Sequence, residues 1–94
     1  MWIDDWEWDD RNLSYVGGHE GSADIVYQVH ERRPHFRHNL KNRSATHQMI
    51  GPDKGGQLWT VCYLRAPGSP AGMARAINVW KATEREKGWY ERQN

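Results

Sequence analysis

A chain of 94 residues has room for one domain with a small core, because this length cannot bury enough surface for two. Its mean hydropathy of −1.00, and the lack of any run of about 18 apolar residues, exclude a membrane-spanning helix. The net charge of +1 hides a split, since residues 1–29 sum to −6 and residues 30–94 to +7, so a basic surface suited to a polyanion such as RNA is available if the second part gathers on one face.

Six tryptophans and four tyrosines compensate for the short chain, as each aromatic buries about 150–250 Å². The single cysteine, Cys62, has no disulfide partner within the chain and lies in an apolar strand pattern, which reads as a small core residue. The acidic start Met1-Trp2-Ile3-Asp4-Asp5 lacks the basic and then apolar run of a secretory signal. A cytoplasmic location is expected.

In chain order, Trp6-Glu7-Trp8 alternates and predicts a short strand. Asp9 or Asp10 caps a helix over Arg11 to Val16 that Gly17-Gly18 ends. Ser22 is an N-cap for a second helix carrying Ile25, Val26 and Val29, although three β-branched residues also suit a strand. Glu31 to Arg43 is basic and unpatterned and predicts a loop. Three strands follow, Thr46–Ile50, Gln57–Arg65 and Met73–Lys81. Gly51-Pro52 and Gly55-Gly56 mark the first hairpin turn, and Ala66-Pro67-Gly68-Ser69-Pro70-Ala71-Gly72 forms the second connection. Thr83 and Glu86 stand three apart, the spacing of a capping box, and open a helix from about Glu84 to Arg92. The expected fold is a single α+β domain over 1–94, order β-α-α-β-β-β-α, with an antiparallel sheet and helices on one face.

The hairpin Ile50-Gly51-Pro52-Asp53-Lys54-Gly55-Gly56-Gln57-Leu58-Trp59-Thr60-Val61-Cys62-Tyr63, followed by Lys81-Ala82-Thr83-Glu84-Arg85-Glu86 and Tyr90, resembles BrnT-type toxins of the RelE-like ribonuclease fold. Trp8-Asp9, Asn12, His19-Glu20-Gly21 and Arg43 stand at further positions of the family pattern, so the likeness runs from about Trp8 to Tyr90. The chain departs from that pattern at Gln57 and Trp80, where the family usually has arginine. The resemblance implies an endoribonuclease acting on mRNA, the toxin of a type II toxin–antitoxin pair. Its partner would be a cognate antitoxin, with operator DNA reached only through that antitoxin. The alternatives are an inactive relative that binds the antitoxin and a single-stranded nucleic-acid-binding module.

Metal-independent RNA cleavage uses the adjacent 2′-OH as nucleophile, so the protein must orient the phosphate, stabilise its charge and move protons. Lys81 and Arg65 are candidate cations, and Glu86 or His47 candidate proton carriers. Arg43, Lys54 and Arg75 are candidate phosphate contacts and Trp80 a base-stacking platform. Against these stand simpler roles: Glu86 as the capping-box partner, His47 as an ordinary strand residue and Trp80 as a core or antitoxin-covered residue. Five histidines do not make a metal site in this pattern, because His35 and His38 lie in the expected loop and no cysteine pair or acidic cluster completes a set. No cofactor motif is present.

Overall fold

A computed structural model describes residues 3–17, 22–39, 45–65 and 72–94 of the chain. Its elements are β1 (Asp5–Glu7), α1 (Asp10–Gly17), α2 (Ala23–Glu31), β2 (His35–His38), β3 (His47–Pro52), β4 (Leu58–Leu64), β5 (Met73–Lys81) and α3 (Glu84–Gln93). The strands form one sheet in the order β1-β5-β4-β3-β2. The fold is α+β, as the sequence implies. Tripeptide His19-Glu20-Gly21, Arg43 and most of the second hairpin connection lie outside the described residues.

The local signals place most elements. Asp53 Oδ1 accepts the backbone N–H groups of Gly55 (2.8 Å) and Gln57 (3.0 Å), and Gly56 supplies φ +90°, which fixes the β3–β4 hairpin. Pairing runs through Pro52, opposite Leu58, beyond the expected end at Ile50. Ser22 caps α2, its hydroxyl accepting from Ile25 N–H. Thr83 and Glu86 make both bonds of the capping box at the start of α3.

Three features differ from the sequence reading. The expected loop contains β2, which pairs antiparallel with β3. Pro34 precedes this strand, so its missing N–H removes no ladder bond, and the Phe36 ring meets Tyr63 edge-on at 6.4 Å. A second difference is β1, which pairs parallel to β5, Trp6 opposite Ala74, and makes the sheet mixed rather than antiparallel. The third is the layering. Val16, Val26 and Val29 of α1 and α2 bury against Met49, Val61 and Val79 on one face. Trp80 points the other way from Val79 by strand alternation and bonds Glu86, so α3 covers the opposite face. Two layers of helix then enclose the central strands, and Thr60, Val61 and Cys62 are fully buried.

Close approach at one point ties α2 to the sheet. A Cβ on Gly51 would meet Pro34 at 3.0 Å and Val29 at 3.3 Å, so only glycine lets the α2–β2 turn lie against β3. Arg33 turns that corner at φ 53°, and Tyr90 of α3 donates its hydroxyl hydrogen to the Arg33 carbonyl at 3.2 Å. No helix among the described residues is long and apolar enough to cross a membrane.

Candidate functional site

One row of the sheet aligns His38, His47 and Tyr63 across β2, β3 and β4. Directly opposed residues share a face, and here the rings are in contact, His47 stacked on Tyr63 and tilted against His38. His38 and His47 lie 4.8 Å apart between centroids, and His47 and Tyr63 lie 5.4 Å apart at an interplanar angle of 17°. Tyr63 is fully buried and meets Trp6 edge-on at 5.6 Å, so the base of the stack is held rigidly by the core. Arg65 directly follows the end of β4, half-buried, and its charge acts on both His47 and Tyr63.

The two nitrogens of His47 differ. Nδ1 lies 2.7 Å from the hydroxyl of exposed Thr46, whereas Nε2 is buried without a hydrogen-bond partner. Burial, then the fields of His38 and Arg65, hold the imidazole below its usual pKa. His47 is therefore a neutral histidine whose exposed nitrogen is Nδ1. Burial pushes the Tyr63 phenol up to about 12, so it stays protonated. Burial likewise pushes the Cys62 thiol up to about 11, which makes it the inert core residue expected.

The sequence-derived candidates fall at two ends of β4. Lys81 stands opposite Trp59, six residues before Arg65. At about 3.3 Å per residue that separates the two by about 20 Å, too far to hold one phosphate. His47 is at the Arg65 end. Lys54 is exposed in the hairpin turn at the other end, its backbone N–H donating to Gln28 Oε1 at 3.0 Å. Glu86 is buried, accepting from Thr83 N–H at 2.8 Å and from Trp80 Nε1 at 3.0 Å, both on the α3 side of the sheet. Trp80 is thus half-buried and anchored by its indole N–H. Gln57 bonds locally, from Nε2 to the Leu58 carbonyl at 2.9 Å. Arg43 lies outside the described residues.

Arg75 meets Asp9 at 2.8 Å and Glu7 at 3.5 Å, which ties the start of α1 to β5. Its guanidinium holds the Asp9 carboxyl down at about 2, helped by the N–H groups of Asn12 and Arg11. The folded value lies below the usual 3.8, so this contribution to stability is present above the unfolded value and is lost as pH falls through about 2. In an acid titration of unfolding, Asp9→Asn is expected to flatten the stability slope between about pH 4 and pH 2 while keeping the N-cap. An unchanged slope would show that the pair contributes nothing. The effect is small, because Asp9 is exposed and screened.

His38 and Tyr63 enter the site only through β2 and the strand register. Alternation in His35-Phe36-Arg37-His38 was the available signal. His35 and His38 lie on opposite faces of β2, and among the described residues no three His, Cys, Asp or Glu side chains group as metal ligands. No protein-family model matches the chain and no curated protein does, so the chemistry of the site is read from its geometry alone.

Proposed function

We propose that the chain is an endoribonuclease of RelE-like, BrnT-type character, the toxin of a type II toxin–antitoxin pair, which cleaves mRNA without a metal. The observation that carries the reading is a neutral histidine in ring contact with a second histidine, 4.8 Å between centroids, within the field of Arg65. Thr46 Oγ rotates aside, and His47 Nδ1 takes the proton of the 2′-OH. The 2′-oxygen then bonds to phosphorus as the P–O5′ bond breaks. His38 is the group placed to pass a proton to the leaving 5′-oxygen. Arg65 stabilises the charge that develops on the phosphoryl oxygens. The products are a 2′,3′-cyclic phosphate and a 5′-OH.

This reading moves the chemistry to the His47 end of β4. Lys54 and Lys81 then serve as distant phosphate contacts along a longer RNA, with Trp80 available to a base at its exposed edge. Incubation of the purified protein with a single-stranded RNA in excess chelator should yield fragments with cyclic phosphate ends, and its expression without the antitoxin should arrest growth. Intact RNA under these conditions rejects the enzyme. A second reading, an inactive relative that binds an antitoxin or single-stranded nucleic acid, is favoured by the separation of Arg65 from Lys81 and by the engagement of both Glu86 oxygens within the fold.

A further inference from the structure

β2 is the outermost strand of the sheet, and its outer edge is open among the described residues. The ladder sets which groups face out. Asn39 N–H donates to the Thr46 carbonyl, and hydrogen-bonded pairs alternate along an antiparallel ladder, so Arg37–Gln48 and His35–Ile50 are the bonded pairs. Phe36 and His38 therefore present their backbone N–H and C=O groups to the outside, a template for one further strand.

Charge decides what that strand is. Among the described residues, 32–39 and 45–52 contain no Asp or Glu and carry Arg33 and Arg37, with Arg32 next to them paired with Glu31 at 3.6 Å. On the α3 face of the edge, the Arg37 guanidinium lies 4.7 Å from the Trp89 ring centroid while its Nε donates to Gln48 Oε1 at 2.8 Å, so the cation is held in place. A second copy of this chain pairing through β2 would bring like charges opposite each other, which disfavours a homodimer there. An extended acidic segment gains both the edge hydrogen bonds and the charge complementarity.

We infer that the open edge of β2, with Arg37 beside it, is a docking site for an acidic extended segment of a partner protein, which adds to the sheet as a sixth strand. The inference stands independently of the catalytic reading, because it uses backbone groups and Arg37 rather than the imidazole of His47. Backbone hydrogen bonds supply affinity and the acidic side chains supply selectivity.

The test is amide hydrogen exchange by NMR on the intact protein, with a short alternating Thr-Glu peptide, a Thr-Lys peptide of equal length and a uridine oligonucleotide as probes. Saturating Thr-Glu peptide should slow exchange at the Phe36 and His38 amides by about tenfold or more, and the Thr-Lys peptide should not. Arg37→Glu should weaken binding of the Thr-Glu peptide by about tenfold. Measurement on the unmodified protein stands even if that variant folds poorly. Unchanged exchange, or protection confined to α3 or the Lys54–Lys81 end, overturns the inference. Protection of the same amides by the oligonucleotide but not by the acidic peptide assigns the edge to RNA instead, and protection that appears with protein concentration alone assigns it to a second copy.

Discussion

Replacement of His47 by alanine should lower RNA cleavage by about 10²–10⁴-fold, the range for loss of a general base. His47→Gln, which keeps the bulk between Tyr63 and the surface, should be as inactive with less disturbance of the sheet. The pH profile carries a sharper expectation. Burial, His38 and Arg65 hold the His47 pKa below 6.5, so its base form persists under mildly acidic conditions and the acid limb of kcat/KM should inflect below pH 6.5. Arg65→Ala removes one of the opposing charges; the inflection should then move toward 6.5 as cleavage falls. Lys81→Ala, at the far end of β4, should leave the inflection in place. The same shift has a defined sign in stability: the unfolded chain takes up the His47 proton first as pH falls, so this contribution is complete above 6.5 and is lost as pH drops through the folded value. Full cleavage by His47→Gln, or an inflection that responds to Lys81 rather than Arg65, would sink the assignment of the base.

What the sequence made legible was local. The β3–β4 turn is encoded by Asp53, Gly55 and Gly56 within five residues, and the start of α3 by Thr83 and Glu86 within four, so both follow from spacing. β2 was not legible, because four residues with Phe36 as the sole apolar side chain form a strand only once Tyr63, 27 positions later, receives that ring. The β1–β5 pairing was hidden for the same reason, Trp6 and Ala74 being 68 positions apart. A capping box tells where a helix begins but not which sheet face receives it, so the placement of α3 required the Trp80–Glu86 contact. At the site, His47 was recognisable by residue type alone. Its neighbour His38 became visible only through the register of β2 on β3, and the distance between Arg65 and Lys81 only once Trp59 was known to face Lys81.

Trp6 supports that row from beneath, and its removal should be the most damaging substitution for the fold. The indole is 3% exposed, meets Tyr63 and His30 edge-on at 5.6 Å each, and donates from Nε1 to His30 Nδ1 at 3.1 Å. Because an indole N–H only donates, His30 carries its own proton on Nε2. Trp6→Ala leaves a cavity and an unpaired nitrogen, a loss of about 3–5 kcal/mol, out of a total stability of about 5–15 kcal/mol for a domain of this kind. For a domain of this length the fall in Tm should be at least about 12 °C. Trp6→Phe keeps an edge-on ring and loses the hydrogen bond, so about 1–2 kcal/mol is expected. The pair of variants separates two roles. If Tyr63 is positioned by ring contact, Trp6→Phe should retain the low acid inflection of cleavage, whereas Trp6→Ala should shift it toward 6.5 as water reaches His47 through the loosened stack. A thermal melt in which Trp6→Ala is as stable as the unmodified protein would show that β1 is a peripheral strand, and that the rigidity of the His47–Tyr63 stack comes from β3 and β4 alone.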